Sequence, residues 1–194
     1  MDEKETLKRY LQRQHEALRW KTEGLGEYHL RQPWTRTGTN LLGLLKHVAS
    51  VEIGYFGDCF GRAHGVAMPW FAEDAEPNAD MWATSEESTE QILALYDRAW
   101  EVVEDTVDEL ALDAPGRVPW WGDQGDVTLH RLLVHVVAEV ARHAGHADIL
   151  RELADGQAGI RQGLTNLPDE DEQWWADYVA RVQAAAEEVA NREG

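Results

Sequence analysis

The sequence predicts an all-α fold, a four-helix bundle with long connections and an additional C-terminal helix. Apolar residues recur at helical spacing in five separate segments with charged residues between them. No segment of useful length alternates apolar and polar residues as a strand would, and no internal repeat is present. The fourth segment also sets His135, Glu139, His143 and His146 within a sector of about 80° at 100° per residue. Helical bundles hold metals in their cores through columns of this kind.

Residues 3–20 place Leu7, Tyr10, Leu11 and Leu18 at helical spacing, and Gly24 ends the pattern. The turn formers Pro33, Thr35, Gly38 and Thr39 lead into a second helix over about 40–60, closed by Gly61. Its apolar face is Leu41, Leu44, Leu45, Val48, Val51 and Tyr55, with His47 at the border. Residues 62–85 carry Gly65, Pro69, Pro77 and many acids without a clean period, yet Trp70, Phe71 and Trp82 are expected to fold back over the bundle. A third helix is expected over about 85–110. Thr84 would be its N-cap and Glu87 would complete a capping box, with Ile92, Leu95, Tyr96, Ala99, Val102, Val103 and Leu110 inward.

The connection ALDAPGRVPWWGDQGDV delivers the chain to a long fourth helix over about 127–154, with Asp126 as its cap and Asp155-Gly156 as its stop. Residues 156–168 read as a linker and 169–192 as an amphipathic helix with Trp174, Trp175, Tyr178, Val179 and Val182. The expected organisation is a metal-binding bundle over 1–165 and a C-terminal amphipathic helix over 166–194 packed on it.

The net charge of −18, with 18 basic residues scattered and no basic run longer than Lys8-Arg9, opposes binding to nucleic acid or anionic membranes. No window approaches the roughly 20 apolar residues of a membrane span, and MDEKETLKRY lacks the apolar segment of a signal peptide. Cys59 is the single cysteine, so no intrachain disulfide forms and a cytoplasmic location is expected. Its simplest role is helix packing.

A lone histidine on an apolar border is usually a satisfied core imidazole, and Glu139 with His143 could be a hydrogen-bonded pair. A column of three His and one Glu plus the remote His47 favours a metal instead. Two ligands four residues apart on one helix and a His from a facing helix form a three-ligand site with a position left open, as in catalytic zinc. His135 and His146 rank second. His146 is a partner of a ligand, an alternative ligand or a substrate-facing acid/base. The Glu that follows a ligand His in His-Glu-x-x-His proteases is absent, as are a Walker loop and a G-x-S-x-G elbow.

The run TLHRLLVHVVAEVARHAGHADILRELADG, with His47 in LLGLLKHVASVE, resembles the DinB-like superfamily, including its YfiT-type and mycothiol-dependent maleylpyruvate isomerase branches. The segment VPWWGDQGDVTL is similar to the mini-circle-protein subgroup. Many members carry two His four residues apart on this helix, and Glu139 stands at the first of those positions, as in the maleylpyruvate isomerase branch with its His, Glu and His around zinc. The resemblance implies His47, Glu139 and His143 as metal ligands and sets His146 where other branches have Gln.

It further implies a commonly homodimeric bundle that transfers or isomerises through a low-molecular-weight thiol such as mycothiol or bacillithiol. The expected function is therefore a zinc-dependent thiol S-transferase or isomerase acting on a small-molecule electrophile, with His146 orienting the thiol or moving a proton. A metal-dependent hydrolase using the same ligands, and a non-catalytic metal-binding stress-response protein, are the alternatives.

Overall fold

The apolar periodicities form helices α1 (Glu3–Trp20), α3 (Leu41–Phe56), α4 (Thr89–Glu109), α5 (Leu129–Asp155) and α6 (Glu172–Glu193) in a computed structural model that describes residues 1–193. A short helix, α2 (Glu27–Arg31), lies between the first two. The chain divides into two compact units, Met1–Leu164 and Thr165–Gly194. In the first, α3 packs against α4 and α5, and α1 packs against α5. Leu11 and Leu18 of α1, Leu44, Leu45 and Ile53 of α3, Tyr96 and Val103 of α4, and Leu133 and Val136 of α5 join in one core. In the second, Asp171 accepts from the Trp174 amide at the start of α6, and Trp174 stacks on Tyr178 one turn later. None of the described helices is long and apolar enough to cross a membrane.

Two helix starts differ from the sequence-based expectation, and the stop of α5 agrees with it. The cap of α4 is Ser88, not Thr84: Ser88 Oγ accepts from the Gln91 amide and Gln91 returns the bond to the Ser88 amide. Both tetrads fit a capping box, but the Glu87 carboxylate is engaged by Lys46 and by the Thr84 amide in a preceding turn. Helix α5 is capped by Thr128, not Asp126, because Asp126–Thr128 form a strand, β2. It pairs antiparallel with β1 (Pro115–Arg117), so the Pro- and Gly-rich connection contains a small hairpin. The stop of α5 falls at Asp155, where Gly156 adopts φ +78° and ends the helix.

Helix α3 is the centre of the bundle. Of its 16 residues only His47 and Val51 are not buried. Polar groups carried inward must therefore find partners within the protein. Lys46 pairs with Glu87 at 2.8 Å and donates to the Trp82 carbonyl. Glu52, fully buried, faces His15 Nδ1 at 3.0 Å, and the His15 ring stacks on Tyr96. Ser50 donates to the Lys46 carbonyl and accepts from Trp70 Nε1. The last contact, together with Lys46 over the Trp70 ring, folds the connection after α3 back over the bundle.

Glu87→Gln would leave the Lys46 ammonium buried beside a neutral amide and is expected to destabilise by about 3 kcal/mol, measured by urea unfolding. Asp108→Ala, which breaks the exposed Lys8–Asp108 pair, is expected to cost about 0.5 kcal/mol or less. Burial alone would raise the Glu87 pKa, but Lys46 and the Thr84 amide outweigh it and hold it below its ordinary value. Its stabilisation is therefore present above the unfolded range, about pH 4, and lost as pH falls through the lower folded value. Glu87→Gln should lack that part of the acid-side loss.

Candidate metal centre and its groove

His47 lies in the second turn of α3, and Glu139 and His143 lie one turn apart on α5. Packing of α3 on α5 brings the three together, with one potential ligand atom from each within 4.8 Å of the others. His143 Nε2 stands 3.1 Å and His47 Nε2 3.9 Å from Glu139 Oε1. Two donors bonded at zinc distances to one tetrahedral ion stand about 3.3 Å apart, so the spacing fits a single divalent cation. The donor chemistry fits as well. Burial first, and then the neighbouring His47, push the His143 pKa down and favour the neutral imidazole that a metal requires. Its Nδ1 is buried without a hydrogen-bond partner, which leaves Nε2 as the nitrogen held by a neighbour.

Asp80, which the sequence does not mark, joins the candidate site. Its Oδ2 lies 2.6 Å from His47 Nδ1, and this hydrogen bond to His47 is the main reason its pKa is lowered. With the proton on Nδ1, the Nε2 lone pair of His47 faces Glu139 and His143, the arrangement by which a carboxylate orients a metal-binding imidazole. The position of Asp80 depends on a close backbone approach. A Cβ on Gly43 would lie 1.8 Å from the Met81 carbonyl oxygen, and Asn40, the cap of α3, donates to that same oxygen. In the sequence Asp80 is one acid among Glu73, Asp74 and Glu76 in a segment without a period, and no local signal separates it from them.

His146 is exposed, with its ring edge-on to His143 at 5.5 Å. His135 is not brought to the group: two turns before His143 on α5, its Nε2 lies 3.2 Å from the Tyr55 hydroxyl and its ring packs against Trp121. Burial raises the Tyr55 pKa, so the hydroxyl stays protonated. Trp120 lines a cavity together with His47 and Asp80, whereas Trp70, expected to fold back over the bundle, is held against Ser50 and Lys46. Cys59 is buried, and burial pushes its thiol up to about 12, which suits packing rather than a nucleophile.

A helical bundle with a His–Glu–His group on its second and fourth long helices has the architecture of DinB-like proteins. The chain belongs to the mycothiol-S-transferase family, whose sequence model matches residues 6–156. A solved structure described as a conserved protein from Enterococcus faecalis shares the fold, with a TM-score of 0.62 and 15% identity over 81% of this chain and 99% of that one. No curated protein matches the chain.

Long-range proton–nitrogen spectra of the metal-free protein at mildly alkaline pH are expected to show His47 as the Nδ1–H tautomer. Asp80→Ala, and Gly43→Ala through displacement of Met81, should release His47 to a mixture of tautomers. A mixture already present in the parent would contradict the role given to Asp80.

Proposed function

We propose that the protein is a metal-dependent S-transferase that joins a low-molecular-weight thiol of the mycothiol type to a small-molecule electrophile, with zinc held by His47, Glu139 and His143. The observation that carries this reading is the convergence of those three side chains within 4.8 Å, in a chain of the mycothiol-S-transferase family. Bound there with a coordination position open, zinc would lower the pKa of a thiol and keep it as thiolate at neutral pH. Asp80 fixes the His47 tautomer, and the Glu139 carboxylate offsets part of the cation's charge. Sulfur forms a bond to the electrophilic carbon while the leaving group departs with its electron pair. The thiol proton passes to His146, which is exposed and able to release it to solvent. The single buried cysteine is consistent with work in the reducing cytoplasm.

His47→Ala and His143→Ala are each expected to abolish stoichiometric zinc binding while leaving the far-UV circular dichroism of a helical protein. Asp80→Ala should weaken zinc affinity about 10–100-fold. Glu139→Gln should weaken it without changing the fold, whereas Glu139→His should keep the metal. Thiol-dependent consumption of an electrophile should require the loaded protein. A rate no higher than that of the chelated control for every low-molecular-weight thiol tried would refute the S-transferase reading, and turnover without thiol would favour hydrolysis.

A further inference from the structure

A cavity of 480 Å³ runs along the one open side of α3. Its floor is the α3 series His47, Ser50, Val51, Gly54 and Tyr55, about 12 Å from end to end at 1.5 Å per residue, continued by Asp58 from the turn after the helix. Met68 and Phe71 from the connection after α3, and Trp120 from the turn after β1, form its apolar walls. Phe71 is 53% and Trp120 58% exposed, and exposed aromatics clustered around a cleft mark a surface that takes an apolar ligand. Gly54 keeps the middle of the floor open: a Cβ there would only touch Trp120, at 3.7 Å, whereas a longer side chain would fill the space.

The charge of this groove is one-sided. Asp80 and Asp58 line its two ends, and no Lys or Arg among the described residues lines it. Nearby cations are engaged elsewhere. Lys46 pairs with Glu87, Arg62 with Glu109 and Arg98 with Glu101, and Arg131 lies over Trp121. Each carboxylate accepts a hydrogen bond from an imidazole, Asp80 from His47 and Asp58 from His64, and a neutral imidazole leaves the carboxylate its charge. His64 Nδ1 accepts from the Val66 amide, so the proton of a neutral ring sits on Nε2 and donates to Asp58 Oδ1 at 3.0 Å. The end of the groove away from the metal centre is therefore negative. Beside it the Tyr55 hydroxyl is held by His135 and Trp120.

We infer that this groove is the electrophile's subsite, and that it selects elongated, apolar-bodied compounds that are uncharged or cationic and rejects carboxylates and other anions. The inference deepens the S-transferase reading and rests on it for the identity of the ligand as an electrophile. The apolar walls hold the body, Asp58 and the Tyr55 hydroxyl read the far end, and Gly54 sets the width.

Calorimetric titration of the zinc-loaded protein with phenylbutylamine, phenylbutanol and phenylbutanesulfonate tests it, the sulfonate being an anion with little tendency to ligate metal. The amine and the alcohol are expected to bind, and the sulfonate to bind more weakly than the amine by about tenfold or more. Asp58→Asn should narrow the gap between amine and sulfonate several-fold and leave the alcohol unchanged. Gly54→Leu should abolish binding of all three probes with metal content and helicity intact. Should that variant fail to fold, Trp120→Ala, at an exposed position, should weaken all three. Sulfonate binding as tight as the amine, or probe affinity unchanged in both Gly54→Leu and Trp120→Ala, would overturn the inference. The probes carry no leaving group and no thiol is added. The expected binding without thiol transfer would therefore refute the functional reading alone, and thiol transfer without probe binding would refute the groove alone.

Discussion

The burial of α3 on nearly every side is the constraint on which the rest of the molecule depends. A helix this apolar belongs inside, but it takes Lys46, Ser50 and Glu52 inside with it. An unpaired buried charge costs several kcal/mol after relaxation, comparable with a large part of the stability of a domain. Each polar group must therefore be matched by a different element: Glu52 by His15 of α1, Lys46 by Glu87 ahead of α4, and Ser50 by Trp70 of the intervening connection. The long segment between α3 and α4, which has too few apolar residues to form a layer of its own, is tied down by these obligations. Its course over the bundle is a consequence of electrostatics as much as of hydrophobic burial.

That course is what builds the site. Lys46 and His47 are adjacent on α3, and the segment that supplies Glu87 to one supplies Asp80 to the other. Gly43 and Asn40 set the approach, since the Met81 carbonyl occupies the place of a Gly43 Cβ and is also held by Asn40. His47 and Val51, the two α3 residues left partly open, mark the face where the cover is incomplete, and both border the groove. The opening is thus the residue of a packing solution in which every other face of α3 was already claimed.

The helices and much of the candidate site were legible because their signals are local. Glu139 and His143 share a helix face by spacing alone, and His47 was visible as an imidazole at the border of an apolar face. What escaped depends on tertiary partners. Thr84 and Ser88 offer equivalent capping tetrads, and the choice between them was made by Lys46, 41 residues from Glu87 in sequence. Asp126 looked like a cap until β1 paired with β2 and shifted the start of α5. His135 shares the helical column of His143, but a column only fixes direction. Two turns of rise put it against Tyr55 and Trp121 instead.

As a proposed ligand, Glu139 bears on the charge that a compound in the groove would meet. Three neutral imidazoles would leave a divalent ion with its full charge, which would attract anions into a cavity otherwise lined by Asp58 and Asp80. With Glu139 as the proposed ligand, its carboxylate and that of Asp80 behind His47 would together match two positive charges. A thiolate held there in the proposed reaction would make the assembly negative and remove the attraction that would draw anionic compounds toward the metal. An uncharged electrophile enters without electrostatic penalty, and a leaving group that departs as an anion is repelled from both ends of the groove. The carboxylate at position 139 and the charge of the groove thus favour the same direction of transfer.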